Sequence, residues 1–148
     1  MTKIIKAGIS LALLPLMVHA SEYVVKSGAL SVDATIAKIE KIIGTKKGLG
    51  VFTIIDHKKG ADKVGLELAD TKVILFGNPN MGTKLMQKDP FTALDLPIRV
   101  LVYSENGTTK IVYRDPLKWS KNFKLEGSKM VSKMTKALDA ITTKASLK

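Results

Sequence analysis

Hydrophobic positions along this chain switch between a two-residue and a three-to-four-residue spacing, and each switch marks a new element. "EYVVKSG" (22–28) is rich in β-branched residues and closes on glycine, which predicts a first strand. Ser31 then offers an N-cap with Asp33 in the first turn, and Val32, Ile36, Ile39 and Ile43 follow at helical spacing. Gly44 and the turn Lys46-Lys47-Gly48 end that helix. "LGVFTIID" (49–56) is apolar at successive positions, the pattern of a central strand covered on both faces. "KKGADKVGLEL" (58–68) reads as a short helix weakened by two glycines, and "TKVILFG" (71–77) as another buried strand.

The second half opens on "LFGNPNMGTKLMQKDP" (75–90), where the strand stops abruptly. Asn78 and Pro79 reverse the chain, Asn80 is the expected N-cap, and Gly82 and Thr83 begin a short helix ending near Lys88. "LPIRVLVY" (96–103) and "TKIVYRDP" (109–116) are alternating strands around Asn106-Gly107, the strongest short hairpin signal. With that turn, Glu105 pairs with Thr108, Val102 with Ile111, and Arg99 stands opposite Arg114. Met130, Met134, Leu138, Ile141 and Ala145 then form one stripe of a helix over about 126–146. Strands before, between and after helices, with an antiparallel hairpin, predict α+β: a mainly antiparallel sheet with helices packed on one face.

The first 20 residues break this pattern. Lys3 and Lys6 precede an apolar run from Ala7 to Val18, and Val18-His19-Ala20 has small-x-small spacing. That is the layout of a secretory signal peptide, and the run is too short to span a bilayer. Cleavage after Ala20 predicts a periplasmic or secreted, non-membrane-spanning domain over residues 21–148, with no linker or repeat to divide it. Cysteine is absent, which removes disulfides, thiol chemistry and cysteine-based metal sites. The net charge is +11 for the whole chain and +9 without the leader's two lysines. The lysines after the leader are scattered among acids without a long run. Export makes nucleic acid an unexpected partner, so a solvated surface is the simpler reading.

"GLGVFTIIDHKKGADKVGLEL", "FGNPNMGTKLMQKDPFTALDLPIRVLVYSENG" and "IVYRDP" together resemble the domain of unknown function 302 family, from about Ser31 to Pro116. The motif positions carried over are Asp56, His57, Gly77, Asn78, Pro79, Gly82, Thr83, Leu85, Met86, Asp95, Leu96, Pro97, Tyr113, Asp115 and Pro116. The resemblance implies a two-layer sandwich similar to the TATA-binding-protein arrangement, a curved sheet backed by helices, and often a dimer. It implies no reaction and says nothing of the lysine-bearing tail after Leu117.

Three constellations can carry chemistry. Free N–H groups near Asn78, Asn80, Gly82 and Thr83 suit an anion, although turn geometry alone explains those residues. The ending is not a P-loop. Arg99 and Arg114 are the only arginines, and facing like charges need an anion between or beside them. That anion is either a ligand or an internal carboxylate such as Asp89, Asp95 or Asp115. Asp56, His57 and Asp95 form a sparse acid–base set that works only if all three meet in one cleft. Met81 and Met86 are soft ligands without partners at metal spacing, so no metal or cofactor is expected. No Gly-x-Ser-x-Gly elbow is present. The leading expectation is a small exported binding or accessory module for an anionic ligand. An acid–base enzyme and a structural envelope protein are the alternatives.

Overall fold

A computed structural model describes residues 22–148, so the expected leader lies outside the described part. Five strands form one sheet in the order β1-β5-β4-β3-β2, every neighbouring pair antiparallel. They are β1 (Tyr23–Gly28), β2 (Gly50–Asp56), β3 (Thr71–Gly77), β4 (Ile98–Glu105) and β5 (Thr108–Arg114). The helices are α1 (Val32–Gly44), α2 (His57–Lys63), α3 (Pro79–Lys88), α4 (Pro116–Trp119) and α5 (Lys129–Ser146), with 3-10 turns at Pro90–Leu94 and Ser120–Asn122. This is the expected α+β, two-layer architecture, with the sheet wholly antiparallel.

The long helices cover one face. Lys26, Ile111, Val102, Lys72 and Asp56 stand side by side across all five strands. At one end of that row Lys26 reaches Asp139 on α5 at 2.7 Å. Near the other end, Lys72 bonds Asp33 on α1 at 2.5 Å and Asp56 at 3.2 Å. Both helices therefore lie over the same side. Between them sits the core: Ile36, Ile39 and Ile43 of α1, Leu138 and Ile141 of α5, and Ile74, Val100 and Ile111 of the sheet.

The hairpin forms as its sequence predicts. Glu105 faces Thr108 and Val102 faces Ile111. Asn106 and Gly107 take φ of 50° and 76°, the left-handed pair a type I′ turn requires. Ser31 caps α1 by accepting from the N–H of Ala34 at 3.3 Å.

Four expectations need correction. β2 is an edge strand, not a central one, and Phe52 is 60% exposed. Its continuous apolar run reflects a bulge between Val51 and Thr53, not burial on both faces. The helix expected over 58–68 stops at Lys63, and Gly65 at φ 72° turns the chain out of it. Asn78, not Asn80, caps α3, with Pro79 at its first position, where a missing N–H costs nothing. On α5 the stripe begins at buried Val131, with Met130 only partly covered.

Candidate functional site

The loop that ends β3 forms one wall of an open groove of about 760 Å³. Asn78 builds this wall. Its side-chain oxygen accepts from the N–H of Asn80 at 3.0 Å and of Met81 at 3.4 Å, and its carbonyl accepts from the N–H of Gly82 at 2.9 Å. The amides expected to greet an anion are therefore already bonded. Gly48, at φ 80°, comes so near that a Cβ would lie 2.9 Å from the Asn78 side chain. Only glycine fits this approach, and it draws the Lys46–Leu49 turn against the start of α3.

Met81, Gly82 and Met86 line the groove from α3, and Met134, Ala137 and Leu138 from α5 across it. Phe76 and Ile98 contribute at the ends of β3 and β4, and exposed Phe52 enters from the bulged edge strand. Leu96 and Pro97, joined by a cis peptide bond, line it beside Gly77 and Gly82. A Cβ at Gly82 would sit 3.8 Å from Leu96 and 4.0 Å from Met86. Glycine thus keeps space open here without being demanded by the backbone.

The walls are mainly apolar, and the charged groups among the lining residues are all cations: Lys46, Lys47 and Lys133. No carboxylate pairs with these three among the described residues. The groove has the size usual for a small-molecule site and the apolar lining such sites share.

The arginines lie elsewhere. Both border a separate cavity of about 40 Å³ with Asp95, Ile98 and Trp119. Arg114 pairs with Asp95, and with Glu22 at 2.8 Å. Glu22 first, then Asp95, holds the guanidinium above its ordinary pKa. Arg99 donates to the Leu94 carbonyl at 2.6 Å. The partners expected beside the two arginines are thus supplied from within the chain. Of the residues expected to bind a ligand, Asn78, Gly82 and Thr83 line the groove, while Asn80, Arg99 and Arg114 do not.

Asp56, His57 and Asp95 do not meet. Asp56 sits beside Lys72 at one end of β3 and caps α2 through the N–H of Lys59 at 3.0 Å. That bond, with Lys72, holds its carboxyl below the usual value. Asp95 lies with Arg114, three strands away and toward the opposite end, on the order of 15 Å off by strand geometry. His57 is the exposed first residue of α2. The separation removes the concerted acid–base set.

Sequence reasoning missed Phe52, Lys133 and Ala137 as lining residues. Lys133 and Ala137 belong to the tail that the motifs did not reach. The available signal was their spacing: Lys133 and Ala137, four residues apart, each directly precede a residue of the stripe, Met134 and Leu138.

An open antiparallel sheet with helices on one face and a groove at its end defines a class of small α+β domain. A family profile, Domain of unknown function DUF302, matches residues 23–141, and the chain belongs to this family. The match takes in β1 and most of α5, beyond the span of 31–116 that the motifs suggested. A solved structure described as an uncharacterized conserved protein DUF302 from Bacillus stearothermophilus superposes with a TM-score of 0.76. It covers 85% of this chain and 99% of its own at 20% identity, a likeness of fold. Two proteins named Fluoride-specific ion channel FluC 1, from Brucella suis and Brucella abortus, are 42% identical over 93 residues, 60% of this chain. The chain spans only 36% and 34% of their lengths.

Proposed function

We propose that the protein is a small exported binding module that holds an apolar small molecule in the groove between α3 and α5. One observation carries the reading: about 760 Å³ of open, mainly apolar space is kept free by a glycine on one wall and an alanine on the other. Apolar surface left uncovered costs free energy in water, and a ligand that fills it recovers that cost. The site includes Asn78, Gly82 and Thr83 and leaves out the arginine pair. The export part of the reading rests on Lys3, Lys6, the apolar run and Val18-His19-Ala20. Native mass spectrometry of protein purified gently from a periplasmic extract tests both parts. The expected species begins at Ser21 and carries a bound mass that Ala137→Trp eliminates. A full-length chain without bound mass defeats both.

A second reading, self-association, is favoured by the sheet face away from the helices. Val25, Val112, Leu101, Val73 and Ile55 form an unbroken apolar row across all five strands. Val25 is 58% exposed and Ile55 43%. Such a row is self-complementary under a two-fold axis, as a homodimer needs. Light scattering of wild type and Leu101→Lys tests it; equal masses for the two defeat it.

The Brucella relatives supply a third setting. They are named as channels, and this chain matches about a third of their length. No helix among the described residues is long and apolar enough to cross a membrane. The reading these relatives support for this domain is an accessory to a membrane protein.

A further inference from the structure

Resting on the groove reading above, we infer that the ligand is a single apolar chain ending in one anionic group, with its charge held by Lys46, Lys47 and Lys133. The inference turns on charge complementarity. Among the twenty lining residues three are lysines and none is acidic. Elsewhere in the described structure, four lysines are paired with acids: Lys26 with Asp139, Lys58 with Asp62, Lys59 with Asp56, and Lys72 with Asp33 and Asp56. The groove lysines make no such pairs. Unpaired ammonium groups beside apolar walls suit a molecule that is apolar along most of its length and negative at one end. A neutral hydrocarbon leaves the lysines idle, and a small inorganic anion leaves the apolar walls exposed.

The walls suit a flexible chain more than a rigid ring system. Met81 and Met86 on α3 face Met134 on α5, and methionine adapts its unbranched side chain to irregular shapes. Carboxylate and phosphate ends satisfy the lysines equally well, because an ammonium is a point charge without the planar preference of a guanidinium.

Calorimetric titration of the protein with decanoate, decyl phosphate and 1-decanol tests the inference, with octanoate and dodecanoate added for chain length. Both anions should bind at least tenfold more tightly than the alcohol. Each added methylene should tighten binding by about two- to fourfold until the groove is full. The triple variant K46A/K47A/K133A should bring both anions down to the level of the alcohol and leave the alcohol unchanged. Tighter binding of only one anion identifies its headgroup class within the same inference. Equal binding of acid and alcohol by the wild type, or full anion affinity in the triple variant, overturns the inference and leaves the groove reading standing. No binding of any of these molecules overturns both. Ala137→Trp, whose lysines are intact, should lose acid and alcohol alike; retention of either places binding outside the groove and overturns the inference.

Discussion

The Arg99–Arg114 corner and the groove lie on either side of Ile98, yet they treat positive charge in opposite ways. At the corner, Arg114 spends its guanidinium on Asp95 and Glu22, and Arg99 reaches the Leu94 carbonyl. The space left is about 40 Å³, room for little more than water. At the groove, Lys46, Lys47 and Lys133 border roughly twenty times that volume, about 760 Å³, with no acid among the lining residues. A charge with an internal partner stabilises the fold, whereas a charge left beside open apolar space is available to a ligand. The arginines are the more conspicuous feature in the sequence, but they have partners within the chain, whereas the groove lysines have no acid partner among the described residues.

The sharpest way to break this contrast is to remove the partition. Ile98→Ala deletes a buried side chain that touches both spaces, and should cost about 2–4 kcal/mol in urea denaturation while perturbing both sites. Next, Arg114→Ala should cost about 2 kcal/mol, because it leaves the mostly covered Asp95 carboxylate without its cation. It should leave titrations of the groove unchanged; a loss of ligand affinity in this variant would join the two sites again. Gly82→Ala works in the reverse direction. A helical glycine gains up to about 1 kcal/mol on becoming alanine, and the added Cβ meets only ordinary contacts. The variant should therefore be more stable and, on the proposed reading, bind decanoate more weakly, a pairing that a purely structural glycine would not show. Smallest of all, single alanine substitutions of the groove lysines should change stability by less than about 0.5 kcal/mol.

A pH series sharpens the structural side. The N–H of Lys59 and the ammonium of Lys72 favour ionised Asp56, so its folded pKa is depressed. A depressed carboxyl contributes stability that is complete above the ordinary aspartate range and is lost as pH falls through the folded value. Asp56→Asn should accordingly flatten the acid limb of the stability profile below about pH 4 and leave the neutral region parallel to wild type. An unchanged acid limb would mean that the bonds to Lys59 and Lys72 are equally strong in the unfolded chain.

Local chemistry carried most of the fold. The Asn106-Gly107 hairpin with its register, the α1 stripe capped by Ser31, and the β3 strand all follow from signals within a few residues. The same signals misplaced what depends on neighbours. The run through Phe52 looks like a central strand because apolar residues at successive positions have two causes, burial on both faces or a bulge at an edge. Only the strand order β1-β5-β4-β3-β2 separates them. Asn78 and Asn80 are both competent caps, and Pro79 at the first helical position selects Asn78.

By itself, the sequence determined the elements, their α+β class, the absence of cysteine chemistry and the register of the hairpin, because each depends on periodicity, turn chemistry or composition. Tertiary structure alone decided which cations are occupied. Asp95 and Glu22 reach Arg114 from separate segments of the chain, and α5 crosses from beyond the motifs to set Ala137 and Lys133 opposite Gly82. Whether a charge is satisfied and whether a space is filled are properties of residues far apart in the chain, and only folding brings those residues together.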